Sequence, residues 1–257
     1  MPHPFSMHGK VGIVTGLANR DSIAFGCAQA LHESGAEMLV TYASPKAERF
    51  VLPLASEMGE PELMPCDVQD DAQLDALFER ARERWDRLDF VVHSIAFAPQ
   101  EDLHGRVVDC SRESFQVAMD VSCHSFLRMA KRAEPLMASG GTLLCMSYYG
   151  AERAVDNYGL MGPVKAALES ASRYLASELG PQGIRVHAVS AGPIRTRAAS
   201  GLKDFDELAN QSEAHAPLRR LATVRDVGNA VVYLASPAGA ATTGTVHYVD
   251  AGDSIRY

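Results

Sequence analysis

A doubly wound parallel β-sheet with helices on both faces is the fold class that this sequence predicts, and two observations carry it. Short apolar runs rich in β-branched residues alternate along the whole chain with longer stretches whose apolar residues recur at helical spacing. The runs themselves are apolar at consecutive positions, as strands buried between two helical layers must be. Right-handed crossovers then give a Rossmann-type arrangement. The 257 residues contain no repeat, linker or low-complexity segment, so one domain over 1–257 is the expectation.

Val11 to Thr15 is the first strand, and the helix after its turn runs from Ser22 to Ser34, with Ser22 as N-cap. Glu37 to Tyr42 is a second strand, followed by a helix from Pro45 to Met58 and a third strand from Glu62 to Cys66. Asp70 to Trp85 is helical, because Leu74, Leu77, Phe78 and Ala81 share a face and Asp70 and Asp71 suit its positive N-terminus. Leu88 to His93 is a buried strand, Ser111 to Ala138 a long helix and Thr142 to Met146 the fifth strand. A helix from Asn157 to Leu179 ends near Gly180-Pro181, and Ile184 to Val189 is the sixth strand. The segment from Gly192 to Leu221 is irregular, with Pro193, Gly201 and Pro217 around a short helix from Asp204 to Asn210. Such an excursion from a compact fold reads as a substrate loop. Arg225 to Ala235 is helical, and Val246 to Val249 is the last strand.

Composition excludes more than it identifies. With 47% hydrophobic and 22% charged residues the chain is ordinary for a soluble protein. A net charge of −8 gives no bulk attraction to nucleic acid or an anionic membrane. No apolar run approaches the roughly 20 residues that span a bilayer, and the N-terminus lacks the pattern of a signal peptide, so a cytoplasmic protein is expected. Cys27, Cys66, Cys110, Cys123 and Cys145 form no CxxC pair, which points to reduced thiols, several of them in the core, and to no metal site. His93 and His187 lie in or beside strand patterns and read as packed histidines.

The chemistry concentrates at Tyr158 and Lys165, with six residues between them, downstream of a glycine-bearing turn that follows the first strand. A tyrosine and a lysine beside a nicotinamide polarise a substrate oxygen while hydride reaches it or a conjugated carbon. Tyr148 lies at the end of the fifth strand, where the C-terminal edge of an open α/β sheet meets its ligand crevice. The first turn has Gly16 before a helix N-terminus, which suits a pyrophosphate, although the second and third glycines of G-x-G-x-x-G are absent.

Gly16, Ser22, Ala24 and Gly26 form G-x5-S-x-A-x-G, which resembles the modified glycine motif of the bacterial enoyl-acyl carrier protein reductases, a divergent branch of the short-chain dehydrogenase/reductase superfamily. The resemblance extends through Cys66-Asp-Val68, His93-Ser-Ile-Ala-Phe-Ala-Pro99 and Ser147-Tyr-Tyr-Gly-Ala-Glu-Arg153. It continues through Tyr158 to Lys165, Ser190-Ala-Gly-Pro-Ile-Arg-Thr196 and Ala199-Ser-Gly-Leu-Lys-Asp-Phe205. The common short-chain dehydrogenases hold tyrosine and lysine four residues apart. Here that position is Met161, which donates no proton, and the displaced Tyr158 matches the enoyl reductases.

The resemblance implies reduction of trans-2-enoyl thioesters in type II fatty acid synthesis, by hydride transfer to C3. Tyr158 would donate to the enolate oxygen, and Lys165 would hold the nicotinamide ribose and favour a tyrosinate-like phenol. Tyr148 and Ala98 would lie against the acyl thioester. Gly16, Ser22, Ile23 and Ala43 would belong to the cofactor site, with Asp67 on the adenine and Val68 beside it. Ser94, Ile95 and Ala96 would line the dinucleotide path, and Ile194 and Thr196 would hold the carboxamide end. NADH is favoured over NADPH, although Ala43 stands where NADH users of the family often carry a glutamine, and Lys46 and Arg49, slightly past the place of the basic residues of NADPH users, do not settle the choice. The family further implies an acyl carrier protein as partner and a homotetramer.

Three departures stand out: Pro163 shortly before Lys165, Gly159 where an asparagine is usual, which would loosen the turn after Tyr158, and Arg197 in the substrate loop, facing solvent or an acidic carrier protein. Two other readings compete with the enoyl reductase. One is a carbonyl or 3-oxoacyl reductase, against which Met161 and Tyr148 argue. The other is a non-catalytic dinucleotide-binding protein, against which the joint presence of Tyr148, Tyr158 and Lys165 argues.

Overall fold

The computed structural model describes residues 3–103, 105–196 and 204–256. Seven strands form one sheet: β1 (Val11–Thr15), β2 (Glu37–Tyr42), β3 (Glu62–Pro65), β4 (Phe90–His93), β5 (Gly141–Ser147), β6 (Ile184–Ala191) and β7 (Thr245–Val249). They lie in the order β3-β2-β1-β4-β5-β6-β7, every pair parallel. The winding reverses between β1 and β4, so their C-terminal ends, Thr15 and His93, open a crevice of the kind that binds nucleotides.

Consecutive strand residues serve opposite layers. Ile13, Leu39, Val91 and Leu143 belong to one core, and their neighbours Val14, Val40, Val92 and Leu144 to the other. On the second side pack α1 (Ile23–Glu33) and α2 (Pro45–Val51). On the first side pack α3 (Asp71–Trp85), α5 (Arg112–Met119), α6 (Ser125–Ala133) and α7 (Met161–Leu179), α4 (Gln100–Leu103) being a single turn after β4. α8 (Phe205–His215) lies in the excursion after β6, and α9 (Val224–Ala235) completes the second side. Each fully buried Leu or Phe in these layers contributes about 1.5–3 kcal/mol.

The structure corrects several sequence-based boundaries. The expected helix from Pro45 to Met58 ends at Val51 and continues as a tighter 3-10 turn over Leu52–Met58, where Pro53 has no N–H to give an α-helix. The expected helix from Ser111 to Ala138 is broken by a wide π turn over Asp120–His124 and closes in a 3-10 turn at Pro135. α7 begins at Met161 rather than Asn157, because Asn157 and Gly159 take the left-handed conformation, with φ of 60° and 49°. Pro163 therefore sits in the first turn, where its missing N–H costs nothing. Gly159 suits its turn rather than loosening it: a Cβ there would approach the Leu103 carbonyl oxygen to 2.9 Å. Arg197, Gly201 and most of the 199–205 motif lie outside the described residues.

Candidate active site

Two adjoining cavities lie at the C-terminal edge of the sheet. The larger, about 650 Å³, runs from Ala43, Asp67 and Val68 past Gly16 and Ser22 to Ser94, Ile95, Ala96, Lys165 and Thr196. The smaller, about 420 Å³, is lined by Ala98, Tyr148, Tyr158, Met161, Ile194 and the α8 residues Phe205 and Leu208. Ile23, Ala96, Phe97, Ser147 and Thr196 border both.

The larger cavity fits a dinucleotide. Gly16 has φ of 90°, and a Cβ there would come within 2.0 Å of the Ser94 carbonyl oxygen, so only glycine lets the two loops cross. Ser22 stands at the N-cap of α1, but its hydroxyl donates to the Asn19 carbonyl at 2.6 Å and caps no helical N–H. The first N–H groups of α1 are thus left to an anion. Asp67 closes its own turn, one carboxylate oxygen accepting from the Gln69 N–H at 3.0 Å, and remains exposed at the cavity edge. Among the described residues lining this cavity, Lys165 is the only basic one, and neither Lys46 nor Arg49 reaches it. Gly26, the last glycine of the motif, serves packing: a Cβ there would lie 2.2 Å from the Val224 carbonyl oxygen at α9. Ile194 borders the smaller cavity rather than the larger, with Thr196 joining the two.

Tyr158 lies in the turn before α7, not on the helix. Its ring packs edge-on against Tyr148 with centroids 4.7 Å apart, and Tyr149 backs Tyr148 at 4.4 Å. Burial pushes the Tyr158 phenol well above its ordinary value, with the Glu169 charge adding to it. Both influences favour the protonated phenol over the expected tyrosinate-like form. Lys165 points its ammonium at the Met146 carbonyl, 2.6 Å away, and does not offset the burial. Tyr158 is thus a neutral donor. Burial also lowers the Lys165 ammonium.

Three contributors escaped the sequence reading. Glu169 is buried on α7 one turn beyond Lys165, and its carboxylate accepts from the Ser147 hydroxyl at 2.5 Å. The four-residue spacing from Lys165 was the available signal. Ser122, in the π turn, accepts from the Phe97 N–H at 2.8 Å and donates to the Phe97 carbonyl at 2.9 Å. It thereby pins the strip between the cavities, and a widened turn of this kind leaves no sequence mark. Ser125, one turn on, meets His93 Nε2 at 2.7 Å. Burial pushes His93 down to about 3 and His187 to about 4, which agrees with packed histidines. The five cysteines are all free thiols, and among the described residues no His/Cys/Asp/Glu cluster is placed to hold a metal. No helix among the described residues is long and apolar enough to cross a membrane.

Comparisons with known proteins agree with this geometry. A family model described as "Enoyl-(Acyl carrier protein) reductase" matches residues 16–254. The chain is 47% identical over 246 residues to enoyl-[acyl-carrier-protein] reductase [NADH] 1 of Rhizobium meliloti, covering 96% of this chain and 90% of that protein. The crystal structure of the Anaplasma phagocytophilum enoyl-(acyl-carrier-protein) reductase in complex with NAD superposes with a TM-score of 0.93 at 46% identity, covering 97% of this chain and 95% of that one. The Bacillus cereus enoyl-acyl carrier protein reductase with NADP+ and indole naphthyridinone gives 0.94 at 43% identity, with 97% and 98% covered.

Proposed function

The chain belongs to the enoyl-acyl carrier protein reductase family, and we propose that Tyr148, Tyr158 and Lys165 carry its reaction at the junction of the two cavities. It reduces the 2,3 double bond of trans-2-enoyl thioesters in fatty acid synthesis, with NADH as reductant. The observation that carries the residue assignment is the Tyr158 ring lining the smaller cavity in edge-on contact with Tyr148. Bound NADH supplies the hydride. The residues along the larger cavity, from Ala43 and Asp67 through Gly16, Ser22 and Ile23 to Ser94, Ile95, Ala96 and Thr196, hold the cofactor, with Val68 packed beneath.

As charge builds on the thioester oxygen, a preorganised phenol O–H stabilises it without reorganising solvent. Lys165, fixed by the Met146 carbonyl, presents its remaining N–H donors to ribose hydroxyls. Tyr148, Ala98 and Ile194 shape the acyl side and exclude water. Met161 occupies the place four before Lys165 as an apolar lining residue, and the Ser147 hydroxyl is committed to Glu169. Neither donates to a ketone, so the carbonyl-reductase reading finds no support. The absence of a basic side chain near Ala43 among the described cavity residues favours NADH over NADPH.

The enzyme acts as one catalytic domain with a substrate loop over about 192–221. Its substrate arrives on an acyl carrier protein, and it works as a cytoplasmic homotetramer. The exposed faces of Tyr174 on α7 and Tyr248 on the edge strand β7 support self-association. Following NADH absorbance with a dodecenoyl thioester, with NADPH substituted in parallel and a 3-oxoacyl thioester as control, tests the reading. Rapid oxidation of NADH by the enoyl substrate alone is expected; oxidation only with the 3-oxoacyl thioester would overturn it.

A further inference from the structure

The substrate excursion is held at both ends by the C-terminal turn. At its start, the Gly192 N–H donates to the Val249 carbonyl at the end of β7, at 3.0 Å, and a Cβ on Gly192 would lie 3.0 Å from the Asp250 Cα. At its end, the Leu218 N–H donates to the Ala251 carbonyl at 3.2 Å, and the Pro217 ring lies against Gly252. Asp250 stiffens the turn by accepting from the Gly252 and Ser254 N–H groups at 2.8 and 2.9 Å.

Asp253, next in this turn, is 1% exposed, and neither of its carboxylate oxygens is in hydrogen-bonding geometry with a donor. The Ser212 hydroxyl, on the buried side of α8, faces it without a formed hydrogen bond, and the Tyr148 hydroxyl is likewise buried. A buried carboxyl whose nearby donor, the Ser212 hydroxyl, is not aligned into a formed bond is costly, and natural structures rarely keep one without a use. Tyr148 lines the acyl cavity, and the Asp253 charge is the smallest of the causes that raise its phenol. α8, which packs on this turn, supplies Phe205 and Leu208 to the same cavity.

We propose that Asp253 is a positioning residue for the acyl substrate: from the C-terminal turn it sets how α8 seats over the cavity, and through that the KM for the enoyl thioester. The inference rests on the reductase reading above. The groups that face the carboxyl are Asp250 on its own turn, Ser212 and His215 on α8, and Tyr148 after β5. Burial raises its titration above the ordinary carboxyl range; Asp250 adds to the rise, and Ser212 and His215 oppose it. The seated arrangement is therefore favoured while the carboxyl is neutral and loosens as rising pH ionises it.

The test compares the wild type with Asp253→Asn, an uncharged isostere, across the whole range from the ordinary carboxyl value upward, about pH 4 to about pH 9. In the wild type KM for the enoyl thioester rises with pH, by up to about tenfold per unit once the carboxyl titrates. In the variant KM stays flat and the effect falls on KM rather than kcat. Amide exchange of α8 in the full chain gives a readout that needs no turnover. Corrected for intrinsic base catalysis, it accelerates with pH in the wild type, relative to α9, and not in Asp253→Asn. A wild-type KM or α8 exchange that does not respond to pH, or a variant that keeps the wild-type profile, overturns the role of Asp253. A wild type inactive on enoyl thioesters but with the exchange pattern intact would instead overturn the reductase reading.

Discussion

At Tyr158 the balance is decided by burial. A phenol beside a lysine is expected to ionise more readily, yet the residue is buried with its ring against Tyr148, and the Glu169 charge raises the phenol further. Each favours the protonated form. The Lys165 ammonium is turned to the Met146 carbonyl. Such a neutral donor matters only as charge develops on the thioester oxygen. Replacing Tyr158 by Phe should therefore lower kcat by about 10²–10³, the cost of losing one preorganised donor. NADH affinity should persist, since Tyr158 borders the acyl cavity and not the cofactor's. Turnover and NADH titration in the same preparation check both halves of this expectation.

Among the elements, α1 and α9 pack in close contact, and glycines make it possible. A Cβ on Gly228 would fall 2.2 Å from the Gly26 carbonyl oxygen, an approach that backbone cannot relieve cheaply. Gly228→Ala should cost about 1–3 kcal/mol, read from the urea midpoint, and would tilt the helix whose N-terminus faces the cofactor cavity. α9 itself begins in a capping box, the Thr223 hydroxyl accepting from the Asp226 N–H at 3.1 Å while Asp226 accepts from the Thr223 N–H at 2.9 Å. Thr223→Ala should cost about 1 kcal/mol in the same assay. Arg220, with the Thr223 bonds, holds the Asp226 carboxyl down to about 2. That contribution is present above the ordinary carboxyl range and is lost as pH falls toward about 2.

Over the whole molecule, two buried rings add to the carboxylates in weakening the fold in acid. His93 and His187 are pushed from 6.5 to about 3 and about 4, burial being the main cause in both. A folded value below the unfolded one means the fold favours the neutral ring. Their contribution is complete above 6.5 and is lost as pH falls toward the folded values. The loss is about 1.4 kcal/mol per pH unit for each ring. Glu169 and Asp253, raised by burial, act in the opposite sense, their contributions being lost as pH rises through the folded values. Thermal melts of the wild type and His187→Gln between about pH 7 and about pH 4 should show the variant losing less stability on acidification. Equal slopes would mean that His187 is not neutral in the fold.

Most residues of the two cavities were named only through the family resemblance, whereas periodicity and turn chemistry along the chain were enough for the parallel sheet and for nearly every strand. Those features are local: buried strands must be apolar at consecutive positions, and Gly16 must be glycine where its loop crosses Ser94. Motif spacing placed Tyr158 and Lys165 together because the turn and helix that carry them are continuous in the chain. Other features were settled only when distant segments met. The π turn that brings Ser122 to Phe97, the pairing of Ser147 with Glu169, and the burial of Tyr158 against Tyr148 each depend on groups apart in sequence. The same is true of Asp253, which nothing in its local sequence marks, and which becomes a buried carboxyl without a formed hydrogen bond only because α8 folds over it. Hydrogen bonding and desolvation act through space, so their outcome is decided by the packed tertiary structure.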